Sequence, residues 1–187
     1  MDIPGGKRVV HAVNVGTAEK IHYTYDMDNG FLVQVWRGNF LDATPMWHSR
    51  GEGSSRPVGV IQHLGEPALA IQQLNNSNDP WKSDTSGSGF RPRGYTLDEK
   101  DRPTFKYLLL GSQVTDACRV LDSRQGIQRS VSITEGKDRL YFRIVSADQI
   151  EEKANGLFQI NHQSYYIKIE DSGGNKPMIR DQNGKKE

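Results

Sequence analysis

Short runs in which apolar and polar residues alternate recur along the chain, separated by clusters of Gly, Pro, Asn, Asp and Ser. They are "VVHAVNV", "KIHYTYDM", "FLVQVW", "VGVIQHL", "ALAIQQL", "PTFKYLLL", "GIQRSVSIT", "RLYFRIV" and "SYYIKIE". Alternation places every second side chain on one face, the period of a half-buried strand rather than of a helix. Runs of this kind at this spacing predict an all-β fold, an antiparallel β-sandwich with long surface loops. Only "LGEPALAIQQLNN" also admits a helix, and its period is too short to decide. "GYTLDEKDRPTFKY" reads as strand, turn and strand, with 98 to 102 as the turn and Pro103 opening the second strand.

The strongest local signal is "KIHYTYDMDNGFLVQVWRG", where Asp28-Asn29-Gly30 separates two alternating runs. A two-residue Asn-Gly turn would set Tyr23 opposite Trp36 and Asp26 opposite Val33, mixing charge into the apolar row. A three-residue loop with a left-handed Gly30 pairs Met27 with Phe31, Tyr25 with Val33 and Tyr23 with Val35, giving one apolar face. The other face then holds His22 beside Trp36 and Thr24 beside Gln34. The three-residue loop is preferred, and on it Trp36 points away from the main apolar row. Residues 75 to 94 form a polar, Gly/Ser-rich excursion that holds Trp81, Phe90 and two arginines, a composition that predicts an ordered loop packed over the body. The polar "IRDQNGKKE" at the end reads as the domain edge.

Composition narrows the picture without naming a substrate. The 187 residues suit one domain, 1–187, expected either as a cytoplasmic protein or as a module excised from a larger one. With 24 basic and 23 acidic residues the formal net charge is +1, which offers no field to hold a polyanion, so nucleic acid is not an expected partner. The single Cys118 excludes an intrachain disulfide and the paired-cysteine patterns of zinc ribbons or c-type haem attachment. No apolar run approaches the ~18 residues of a membrane helix, so no membrane insertion is expected. The start "MDIPGGKR" lacks the apolar segment of an export signal.

Three stretches together carry a family likeness: "HAVNVGTAEKIHYTYDMDNGFLVQVWRGNFLDATPMWHSRGEGSSRP", "GYTLDEKDRPTFKY" and "GIQRSVSITEGKDRLYFRI". They resemble a poorly characterised β-sandwich module of large exported bacterial proteins that also carry c-type cytochrome, sugar-dehydrogenase-like propeller or glycoside-hydrolase-like parts. The likeness spans nearly the whole chain, and its first stretch is the most specific. It implies work in the periplasm or outside the cell, on or near carbohydrate, with neighbouring domains of the same polypeptide as partners. It brings no catalytic residues and no cofactor to this chain, and any haem would belong to a neighbouring module.

Candidate chemistry concentrates in "FLVQVWRGNFLDATPMWHSRG". Trp36, Arg37, Asp42, Trp47, His48 and Arg50, with His22 beside Trp36, combine indoles that stack on sugar C–H faces with the forks and carboxylate that bind paired hydroxyls. They form the expected ligand-binding set. The competing arrangement has both tryptophans capping the core and an internal Arg37–Asp42 ion pair. Arg50, Glu52 and Arg56 lie among glycines and serines that could line an anion site, although a structural turn fits better because no phosphate-loop helix follows. His11, His22, His48, His63 and His162 lack zinc-motif spacing, so no metal is expected. Catalysis on a sugar would need an acid and a base astride the bond, for which Asp42 with Glu52 or Asp26, or His48, could serve. Cys118, in an alternating run, reads as a small buried residue. The chain thus reads first as an accessory module that binds carbohydrate or docks a carbohydrate-active neighbour. An enzyme acting on a glycoside or keto-sugar, and a purely structural spacer, are the alternatives.

Overall fold

The structure is a computed structural model that describes residues 1–3, 8–48, 53–154 and 156–187. It is nearly all strand, arranged in antiparallel sheets. The first four-stranded sheet runs in the order β1 (Ala12–Val15), β2 (Ile21–Asp26), β3 (Phe31–Asp42), β4 (Arg56–His63), with a single short helix, α1 (Thr44–His48), between β3 and β4. After β5 (Ile71–Gln73) comes the second four-stranded sheet, in the order β6 (Arg91–Leu97), β7 (Pro103–Leu109), β8 (Ser112–Val120), β9 (Ile127–Thr134). Three small sheets complete the chain: β10 (Leu140–Phe142) on β5, the meander β11 (Ile150–Ala154), β12 (Leu157–Ile160), β13 (Tyr165–Lys168), and the hairpin β14 (Asp181–Gln182), β15 (Lys185–Lys186). The run that also admitted a helix is β5, a strand that pairs with β10.

The alternation in sequence becomes the core. On β7, Pro103, Phe105, Tyr107 and Leu109 point inward, and on β8, Ser112, Val114, Asp116 and Cys118 do the same. Facing them are Tyr23, Tyr25 and Val33 from the first sheet. Tyr25 lies flat on Phe105, ring centres 3.8 Å apart, and its hydroxyl donates to Asp116 Oδ2 at 2.9 Å. Arg129 on β9 forks onto the same carboxylate, Nε to Oδ1 at 2.9 Å and Nη2 to Oδ2 at 2.5 Å, and Nη2 also reaches the Gly30 carbonyl at 3.2 Å. One buried ion pair therefore ties the second sheet to the tip of the β2–β3 hairpin. Burial of the Cys118 thiol in this core pushes its pKa up to about 12, which keeps it protonated and unreactive.

The hairpin keeps most of the expected register: Arg37, Trp36, Val35 and Gln34 face Ile21, His22, Tyr23 and Thr24. It departs at the tip, where Tyr25 pairs with Leu32 and Asp26 with Phe31, so Val33 is an extra, bulged residue and the Met27–Phe31 and Tyr25–Val33 pairs do not form. The cause is Asp26, whose carboxylate accepts the Asp28 N–H at 2.9 Å and the Asn29 side-chain amide at 2.7 Å. This Asx turn adds Met27 to the loop, and the bulge absorbs the added residue. Gly30 is left-handed as expected, with φ of 59°.

Two more expectations meet their outcome in packing. The 75 to 94 excursion is clasped to the body: Trp81 Nε1 donates to the Leu69 carbonyl at 2.9 Å, and the Gln72 side chain bonds both main-chain groups of Lys82 at 2.7 and 3.0 Å. The polar tail is held to the body in turn, with Arg180 Nη1 donating to the Ser77 and Asp79 carbonyls. Glu187 is buried between Arg180 at 2.5 Å and Arg143 at 3.3 Å, and these two guanidiniums both lie against the Trp81 ring. The Glu187 carboxylate is interior there because two guanidiniums offset its charge.

Candidate functional site

The stretch with the richest chemistry forms a projecting ribbon. β2 accompanies β3 as far as Arg37, and the Gly38 N–H still bonds the Lys20 carbonyl, so residues 39 to 42 are, among the described residues, paired on one side alone, by the first half of β4. Gly38 and Gly59 face each other in this ribbon. A Cβ on Gly59 would lie 2.0 Å from the Arg37 carbonyl oxygen, and one on Gly38 would lie 2.6 Å from that of Val58, so both positions require glycine. Beyond them the strand bulges between Asn39 and Leu41. α1 then caps the ribbon, with Asp42 accepting the Thr44 N–H at 2.9 Å and Pro45 in the first turn.

The bulge decides what happens to Trp36. Its indole N–H is shared between the Asn39 and Phe40 carbonyls, both at 3.0 Å, and the Phe40 ring folds back nearly parallel to it at 6.1 Å. His22 closes the cluster, 5.4 Å from both rings. Its Nδ1 accepts the Thr17 N–H at 3.0 Å, which leaves Nε2–H to donate to the Gly38 carbonyl at 3.1 Å. Trp36 is 1% exposed and offers no face to a ligand. The expectation that Trp36 and His22 belong to an open binding surface is corrected here: the second face of the hairpin is covered, because all six residues of β2 are buried.

Trp47 goes the other way. It projects from α1 and is 83% exposed, next to half-exposed Met46. Asp42 and His48, from the cap and last turn of the same helix, are exposed with it. The Thr44 hydroxyl and then the Thr44 N–H hold the Asp42 carboxyl below the ordinary aspartate range, so it stays ionised and accepts hydrogen bonds. Arg37 lies back along the ribbon and donates to the Arg124 carbonyl in the β8–β9 turn, not to Asp42. Arg50 and Glu52 fall outside the described residues. The structure thus divides the predicted set: Trp47, Asp42 and His48 share the ribbon tip, Arg37 braces the two sheets, and Trp36 and His22 are core.

Phe40 and Met46 join the exposed apolar surface of the ribbon without having been singled out in the sequence. The loop composition gave no periodicity that would have marked them. Strongly displaced pKa values lie elsewhere, among them those of Tyr23, Tyr25, Tyr107 and Cys118, raised first by burial, and that of Arg129, which burial would lower but the Asp116 carboxylate raises. Among the described residues no group of three His, Cys, Asp or Glu side chains converges as a metal site, and no helix is long and apolar enough to cross a membrane. No protein-family model, no curated protein and no solved structure matches the chain.

Proposed function

We propose that this protein is an accessory β-sandwich module that binds carbohydrate through the tip of its β3–α1–β4 ribbon, with the Trp47 indole as the stacking platform. The observation that carries the reading is the 83% exposure of Trp47 at the tip of a ribbon whose two strands meet glycine against glycine. A fully wetted indole is costly for a fold to display and useful for gripping a pyranose C–H face. Asp42, held ionised, supplies an acceptor for sugar hydroxyls, and His48 supplies a second polar group on the same helix. In the setting that the family resemblance implies, the module works outside the cytoplasm and holds a carbohydrate-active neighbour in the same polypeptide near its substrate.

Affinity electrophoresis in soluble polysaccharides, with calorimetric titration of the oligosaccharides that retard the protein, tests the proposal. Wild-type protein is expected to be retarded, and Trp47→Ala is expected to lose binding while its melting changes by no more than ~0.5 kcal/mol, as for an exposed surface position. Absence of binding to every glycan, or binding untouched by Trp47→Ala, refutes it.

A further inference from the structure

We propose that β4 pairs antiparallel with β4 of a second copy of this chain about a two-fold axis at Gly59, joining two four-stranded sheets into one. The inference rests on the edge of the sheet and is independent of the glycan reading. The Leu64 N–H bonds the Val33 carbonyl at 2.9 Å and the Gly38 N–H bonds the Lys20 carbonyl at 3.1 Å. These bonds fix the phase: Val58, Val60 and Gln62 turn their main-chain groups to β3, whereas Pro57, Gly59, Ile61 and His63 turn theirs away from the sheet. The His63 carbonyl accepts the Tyr165 hydroxyl at 3.1 Å, which ends the open edge and leaves Pro57 to Ile61 with no main-chain partner on that side among the described residues.

That run, Pro57-Val58-Gly59-Val60-Ile61, is self-complementary about its centre. With the axis at Gly59, the two copies of Gly59 exchange both of their hydrogen bonds. Each Ile61 N–H meets the Pro57 carbonyl of the other copy, and the proline contributes no donor that would need a partner. Val58 of one copy then stands opposite Val60 of the other at a non-hydrogen-bonded position, where facing side chains are closest. Both valines need such a cover. They lie on the face that continues the core row of Val35, yet Val58 is 39% and Val60 70% exposed. Centring the axis on Val60 instead would drive Pro57 of the second copy against the carbonyl that Tyr165 already fills.

Charge does not oppose the contact. The strand's one Lys or Arg is Arg56 at its end, and the antiparallel arrangement carries the two copies of Arg56 to opposite ends of the interface. The edge strand β6 of the other sheet shows the contrast: it holds Arg91, Arg93 and Pro92 and bulges between Pro92 and Tyr95, the usual guards against edge pairing. From Pro57 to Gln62, β4 has no charged side chain. An interface built from one short strand is small, so the dimer should be weak and concentration-dependent.

Sedimentation velocity from dilute solution to the highest soluble concentration should show a reversible monomer–dimer equilibrium. Val60→Lys, which sets an ammonium against Val58 of the second copy, should leave only monomer with an unchanged melting curve. Oxidative cross-linking reads the register even if that variant folds poorly, because the sole native cysteine, Cys118, is buried. A mixture of Val58→Cys and Val60→Cys chains should form disulfide-linked dimers, and neither variant alone should do so. Wild-type protein that stays monomeric throughout, a dimer that survives Val60→Lys in folded protein, or either cysteine variant cross-linking with itself as readily as in the mixture would overturn the proposal.

Discussion

Replacing Asp116 with alanine strips the buried carboxylate that joins Tyr25 of the first sheet to Arg129 of the second. Arg129, whose side chain is 11% exposed, would keep its charge with the Gly30 carbonyl and the face of the Phe142 ring as its remaining partners, and the Tyr25 hydroxyl would lose its acceptor. Breaking a buried pair by removing one partner costs about 3 to 5 kcal/mol, because the surviving charge stays desolvated. In a domain of this length each kcal/mol lowers the melting midpoint by about 2 to 4 °C, so a fall of roughly 6 to 20 °C is expected. Arg129→Met should cost a similar amount, since it strands a carboxylate that is fully buried. The double variant Asp116→Ala with Arg129→Met should then lose less than the sum of the two single losses, as no unpaired charge is left inside. Urea unfolding followed by the fluorescence of buried Trp36 measures all four proteins. If Asp116→Ala costs less than about 1 kcal/mol, or if the double variant loses the sum of the two single losses, the pair is not the inter-sheet tie described here.

Two further outcomes follow from the hairpin. Gly30→Ala should destabilise the protein by at least ~1 kcal/mol, because φ is 59° and an added Cβ would lie 2.9 Å from the Tyr107 ring; an unchanged urea midpoint would contradict the turn geometry. Burial raises the pKa of Asp26 above the usual 3.8, and its bonds to Asn29 and Asp28 only partly offset that. A raised folded-state pKa contributes stability that is complete below 3.8 and is lost as the pH climbs through the raised value. Wild type should therefore lose stability relative to Asp26→Asn as the pH rises from 3.8 through the raised value, with no further change above it, and a difference that grows in the opposite direction would refute the assignment.

The alternating runs determined where strands form, because a strand's two faces are set by local period alone. They also determined the register of β2 against β3 from Ile21 to Thr24, where matching apolar rows leave one good pairing, and the left-handed Gly30. The sequence also marked the chemistry of residues 36 to 50, but not its direction. Which indole faces water depended on a bulge at Phe40 and on the folding back of that ring, and nothing in the residues near Trp36 encodes a bulge that Asn39 and Leu41 make against β4. The tip of the hairpin was likewise decided by Asp26, whose carboxylate competes with the ladder for the Asp28 N–H. The tertiary structure alone brought Asp116 under Tyr25, which precedes it by 91 residues, and buried Glu187 between Arg143 and Arg180. Charged residues read as surface when taken singly; they become interior only when the fold brings an opposite charge to each, and that pairing is a property of the packed chain rather than of any local run.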